Sequence, residues 1–241
     1  MRAILFLCVF GAASMPLAAQ SLACRAQSPA TRTPVVELYT SEGCSSCPPV
    51  DRWLSGLKQA AAAGQVVAEG FHVSYWDSLG WIDRFASPAN NARQRQLAVR
   101  SGSAQVYTPQ LVRDGREAHD FDAPFAGSRE AAGAVIRMQW QDGQALAQVT
   151  PATAGTRWDA YWTVTEHAHA SKVRAGENAG EFLQHDFVVR QFVAVGTHEG
   201  PGQLALRPIA PTAGHPQQVN LVVEEAGTGR PLQALSLQCG A

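Results

Sequence analysis

Charge is scarce in this chain: Asp, Glu, Lys and Arg make up 16% of its 241 residues, and 19 bases against 20 acids leave a formal net charge of −1. That balance excludes the basic surface by which nucleic acids or anionic membranes are bound, and neither is expected as a partner. Internal repeats and low-complexity tracts are also missing, which excludes a solenoid. Cysteine is sparse, at five residues, with a single Cys-x-x-Cys. A structural zinc site usually draws on two such pairs, so none is expected. What is present is apolar: 46% of the chain is hydrophobic, enough for one large domain or two small ones with their own cores.

The N-terminus has the pattern of a secretory signal over residues 1–23, with Arg2, an apolar run from Ala3 to about Ala13, and small residues beyond. It is too short to span a bilayer as a stable helix. Cleavage after Ala19 or Ala23 would remove Cys8 and leave Cys24, Cys44, Cys47 and Cys239, an even set suited to a compartment where disulfides persist. A periplasmic or secreted bacterial protein is expected, with no membrane contact once the signal is gone. The expected structural disulfide joins Cys24 to Cys239 and closes nearly the whole mature chain. Lipid attachment at Cys24 competes with it, although Ser21 stands where a lipoprotein signal usually has leucine. Residues 24–33 read as a linker.

The rest of the chain is arranged around VVELYTSEGCSSCPPVDRWL, residues 35–54. Val35, Val36, Leu38 and Tyr39 suit a buried strand, and Val50, Trp53, Leu54 and Leu57 recur at helical spacing over roughly 50–63. A strand running into a Cys-x-x-Cys that opens a helix reads as a thiol redox site. Cys44 is then the outward, attacking thiol, its thiolate favoured by the helix N-terminus, and Cys47 the inward, resolving one. Two other readings of the pair stand beside this one: a structural disulfide in a binding protein, and a copper site in a periplasmic copper-handling protein.

A second apolar stretch, residues 65–75, reads as a parallel neighbour of the first strand, so that its exit, YWDSLGW, lies beside the cysteines. Asp77 is there the candidate proton acceptor for the resolving thiol, and Trp76 a candidate substrate contact or lid. Residues 90–100 read as a polar helix whose Arg93, Arg95 and Arg100 form a solvated face. Thr108-Pro109 leads a short strand, with a cis peptide as a fixed feature.

Strand, Cys-x-x-Cys, helix, strand, helix, Thr-Pro and strand, a hairpin at Asp114-Gly115 and a closing helix over 128–140 resemble the thioredoxin-like fold. More closely, VELYTSEGCSSCPP, SYWDSLGWIDRFASP, VYTPQLVRDG and RAGENAG resemble a family of secreted bacterial proteins catalogued only as a domain of unknown function with that fold. The resemblance implies that Thr108 and Pro109 face Cys44 and hold an extended thiol substrate. Ser-Ser stands where thioredoxins have Gly-Pro, Gly43 where tryptophan is expected, and Leu38 where a buried acid lies, which makes Asp77 the candidate substitute.

From about Gln144, short runs alternate with period two between Gly and Pro, as in an antiparallel sandwich. The expected architecture is an α/β thioredoxin-like domain over 34–142 followed by a smaller all-β domain over 143–241. His167 and His169 would share a strand face there, and Glu177 and Asn178 lie in a turn with a possible place near the cysteines. The expected function is disulfide exchange with protein or small-molecule thiols, through Cys44 and Cys47 and without a cofactor.

Overall fold

The computed structural model describes residues 24–103, 105–121 and 130–239; the expected signal, residues 1–23, lies outside them. After β1 (Arg25–Gln27) comes β2 (Val35–Thr40), all six residues of which are buried, as in a strand covered on both faces. α1 (Pro48–Ser55) carries its prolines in the first turn, where their missing N–H groups cost no intrahelical bond. The single helix expected over 50–63 is broken at Gly56 and Leu57, and α2 (Lys58–Ala62) follows. β3 (Val67–His72) is again wholly buried and runs parallel to β2, with Val35 opposite Val67 and Thr40 opposite His72.

α3 (Pro88–Arg100) begins at Ser87, whose hydroxyl accepts the Asn90 N–H. β4 (Gln110–Arg113) lies antiparallel to β2 and turns at Asp114-Gly115 into β5 (Arg116–Ala118). The remaining strands are β6 (Ala134–Gln141), β7 (Gln144–Pro151), β8 (Arg157–Glu166), β9 (His169–Lys172), β10 (Phe182–His185), β11 (Val188–Glu199), β12 (Gly202–Leu206), β13 (Gln217–Glu225) and β14 (Pro231–Leu237).

These strands overturn the expected fold class. Of the described residues 44% lie in strands and 14% in helices, which is a mostly β protein and not an α/β thioredoxin-like domain followed by a smaller all-β one. A single eight-stranded mixed sheet, ordered β14-β13-β8-β11-β3-β2-β4-β5, takes strands from both halves of the chain. The seam is the parallel contact of β11 with β3, where Val188 lies opposite Gly70 and the Gly70 N–H donates to Phe187 O at 2.7 Å. A Cβ at position 70 would stand 3.3 Å from that oxygen, so the residue that lets the halves meet is the one without a side chain. The closing helix expected over 128–140 is also corrected. Residues 122–129 are not described, and 134–141 form β6, whose Ala134, Ile136 and Met138 point inward at period two.

Three layers of packing follow. The four-stranded sheet β1-β6-β7-β12 stacks on β8, β13 and β14 around Trp158, Trp162, Leu221 and Ile136. α1 and α2 cover one face of β2 and β3 through Leu54 and Leu57 against Val36 and Leu38. α3 covers the other through Leu97 against Tyr39 and Phe71. That helix does not present Arg93 to solvent: the side chain is 6% exposed, holds Glu37 with two bonds of 2.8 Å and lies 3.7 Å over the Tyr161 ring. Beneath it Glu69 takes hydrogen bonds from the Tyr161 and Thr163 hydroxyls, and burial, reinforced by the charge of Glu37, pushes its carboxyl up to about 8. Cys24 and Cys239 are joined by a disulfide and pack against the sandwich core.

Candidate functional site

Ser41 to Cys44 carry the chain out of β2 in a tight turn, with the Cys44 N–H on Ser41 O at 3.2 Å, and Cys47 opens α1 by accepting the Val50 and Asp51 N–H groups at 2.9 and 3.0 Å. Cys44 and Cys47 are joined as a disulfide with a Cα–Cα distance of 5.5 Å. Cys44 is 1% exposed and Cys47 0%. The expectation of an outward Cys44 is therefore corrected; the exposed residues of this turn are Ser45 and Ser46.

Two segments distant in sequence frame the pair. From the exit of β3, the Cβ of Trp76 lies 3.0 Å from where a side chain on Gly43 would begin, which accounts for a glycine where thioredoxins carry tryptophan. The Trp76 indole donates to Thr108 Oγ1 at 2.7 Å, tying this segment to the cis Thr108-Pro109 peptide. The other segment is the loop between β9 and β10. Asn178, buried, donates to Glu42 O and Cys44 O at 2.9 Å each, and the Glu177 carboxylate accepts the Ser45 N–H and hydroxyl at 2.9 and 2.7 Å. Gly176, with φ of 75°, supplies the left-handed turn that brings both residues into place.

A buried group of ionisable side chains lies beside the turn. The Asp83 carboxylate accepts the Glu42 N–H at 2.9 Å and pairs with His72 Nδ1 at 2.6 Å. Burial works against both charges, but each holds the other charged: His72 is raised and Asp83 lowered from its ordinary value. His185 stands between two carboxylates, 3.3 Å from Glu42 Oε1 through Nε2 and 3.9 Å from Asp51 Oδ2 through Nδ1. Burial pushes Asp51 up. It pushes Glu42 the same way, yet the adjacent His185 imidazole, with a bond from the Trp81 indole at 2.8 Å, leaves Glu42 below the usual carboxylate range.

Asp77 meets this group through Asp83. It sits in a short 3-10 turn (Asp77–Leu79), where its carboxylate accepts the Asp83 N–H at 3.1 Å, and burial raises its pKa. Glu42, Asp51, Asp83 and His185 went unseen in the sequence; the available signal was Glu42 two residues before Cys44 and Asp51 one turn after Cys47. His167 and His169 do not share a face, because Ala168 between them has φ of 58°; His167 lies 3.4 Å from Asp186 and His169 2.9 Å from Glu166. Among the described residues no three His, Cys, Asp or Glu side chains are arranged to hold a metal ion.

A comparison with curated proteins found no match. Among solved structures, the crystal structure of protein AGR_C_4864 from Agrobacterium tumefaciens is similar over 86% of this chain and 95% of its own, at 23% identity and a TM-score of 0.66. HBP35 of Porphyromonas gingivalis is similar over 88% of this chain and 76% of its own, at 13% identity and a TM-score of 0.61. Both likenesses bear on the fold alone. The model of the family described as "Protein of unknown function (DUF1223)" matches residues 35–224, a span holding the cysteine pair and every side chain that frames it, and the chain belongs to that family.

Proposed function

We propose that the protein is an exported thiol-disulfide exchanger that works through Cys44 and Cys47. The observation that carries this reading is the length of chain each disulfide closes. Cys24 and Cys239 are 215 residues apart, and restricting so long a loop in the unfolded chain is worth about 5 kcal/mol. Cys44 and Cys47 are 3 apart, which is worth only about 2 kcal/mol. Chain restriction alone accounts for the first bridge and much less for the second. Two disulfides, and the absence among the described residues of any helix long and apolar enough to cross a membrane, agree with export to a periplasmic or extracellular space.

In the proposed step a thiolate of a partner attacks Cys44 Sγ, the Cys44–Cys47 bond breaks, and its electron pair leaves on Cys47, which takes up a proton. A second thiolate of the partner then attacks the partner's own sulfur in the mixed disulfide and releases Cys44. The partner dithiol is oxidised, the protein disulfide reduced, and the sequence runs equally in reverse. Thr108, cis-Pro109 and Trp76 are the rim against which a substrate chain would lie. Because both cysteines are buried, attack requires the turn and the segments packed on it to give way. The same burial favours the second reading, a binding protein in which the pair is a structural disulfide.

Glutathione disulfide and the folded single-cysteine variants separate the two. Cys47→Ser is expected to accumulate a mixed disulfide at Cys44, read by mass spectrometry, at least tenfold faster than Cys44→Ser does at Cys47. If neither folded variant forms the adduct, the structural reading stands and exchange does not.

A further inference from the structure

We propose that Glu177 is a positioning residue that biases the Cys44–Cys47 pair toward the disulfide, so that the reduced protein acts as an electron donor to disulfides in exported proteins. The inference rests on the exchange reading and adds a direction to it.

A helix that opens at a cysteine ordinarily lowers its pKa, because free N–H groups of the first turn face the sulfur and share the positive end of the helix dipole. Here those donors are largely committed elsewhere. The Ser45 N–H, the first after Cys44, is held by the Glu177 carboxylate at 2.9 Å, and the Ser45 hydroxyl is turned onto the same oxygen at 2.7 Å. The Cys47 N–H is on Cys44 O at 3.2 Å. Pro48 and Pro49 have no N–H to give. What reaches Cys44 Sγ is the Ser46 hydroxyl, at 3.4 Å.

The charge around the turn adds to this. The carboxylates in contact are Glu177 from the β9–β10 loop, Glu42 from the turn itself, Asp51 from α1 and Asp83 from the segment before α3, against the imidazoles of His72 on β3 and His185 on β10. His72 and Asp83 neutralise one another. A thiolate formed on Cys44 therefore meets a negative neighbour on the N–H that would have solvated it. The reduced state needs that thiolate, or a proton to replace it; the disulfide needs neither. The ordinary use of a carboxylate at a helix start, to favour the dipole, is here opposed to the sulfur.

In the direct step the Cys44 thiolate of the reduced protein attacks one sulfur of a partner disulfide, whose other sulfur leaves as a thiol. Cys47 then attacks Cys44 Sγ, the Cys44–Cys47 disulfide forms, and the partner leaves with both sulfurs reduced. Two electrons and two protons pass to the partner. The protein must be reduced again by a dithiol donor of lower potential.

Equilibration of the intact mature protein with reduced and oxidised dithiothreitol, with thiol counting, gives the equilibrium constant for reduction of the pair. Glu177→Gln keeps a carbonyl oxygen for the Ser45 N–H and removes only the charge. Above the free cysteine pKa of about 8.5, where the reduced Cys44 is thiolate, it should raise that constant about three- to tenfold, which at 29.6 mV per tenfold is about 14–30 mV toward the oxidising side. Glu177→Asp, which keeps the charge, should stay within about twofold of the parent, and the Gln effect should shrink in about 1 M salt, as a charge effect on an exposed group must. A Glu177→Gln constant equal to or below that of the parent, or one insensitive to salt, overturns the role of Glu177 while leaving exchange intact. A parent pair that never equilibrates with dithiothreitol while folded overturns both.

Discussion

Serine at both Cys24 and Cys239 is expected to lower the free energy of unfolding by about 5 kcal/mol, out of the roughly 5–15 kcal/mol typical of a whole domain. The bridge spans 215 residues and fastens the two ends of the described chain to one place in the fold. Cys24 O accepts the Trp140 N–H at 2.8 Å, β1 pairs with β6 from Arg25 opposite Gln139, and both cysteines pack on the core between the two sheets. β1 has only three residues and forms the edge of its sheet, so without the bridge little holds it against fraying. Urea unfolding with Cys44 and Cys47 intact reads the loss as a lower midpoint. A loss below about 2 kcal/mol would mean that the unfolded chain is already restricted as much as the bridge restricts it.

Arg93→Ala is expected to cost about 3–5 kcal/mol, as removal of one partner from a buried ion pair does. Its guanidinium is the common partner of Glu37 on β2 and Glu224 on β13, the latter at 3.3 Å, and it lies on the Tyr161 ring of β8. Taking it away leaves the Glu37 carboxylate in an interior already occupied by Glu69, whose proton is retained to about 8. The strands concerned belong to both halves of the large sheet, so the loss should appear as one cooperative transition at lower urea, its slope unchanged. Arg93→Met combined with Glu37→Gln, which leaves no ionised Glu37 behind, should recover part of the stability. Equal loss in the single and double variants would show that the ion pair is not the source of the effect.

What could be read from the sequence was local. The apolar stretch before Cys44 is β2, the second such stretch is β3, and the period-two runs after Gln144 are strands, because burial on a pleated surface imposes those patterns directly. The errors came where a distant partner decides. Arg93 reads as a surface residue among Arg95, Gln94 and Gln96, and distant partners draw it inside: Glu37, 56 positions away, with Glu224 and the Tyr161 ring. Residues 134–141 alternate Ala, Ile and Met with Val, Arg and Gln, a strand pattern hidden by residue types that also suit helices. The fold class failed for a third reason, that β11 adds to β3 through one contact at Gly70 and merges what local pattern divides. The site itself was legible as two cysteines and a cis proline. Of its surroundings, Glu177 and Asn178 were legible as a turn with a place near the pair, and they meet Ser45 and Cys44; His185 meeting Glu42, also across more than 130 residues, was not.

The proposed exchange requires that one of the two disulfides open in the folded protein and that the other stay closed. Reduction of the folded mature protein by dithiothreitol, followed by alkylation and mass mapping without denaturant, tests it most directly. Two new thiols are expected, at Cys44 and Cys47, while Cys24 and Cys239 stay joined. A Cys44–Cys47 bond that resists reduction until the protein unfolds would contradict it.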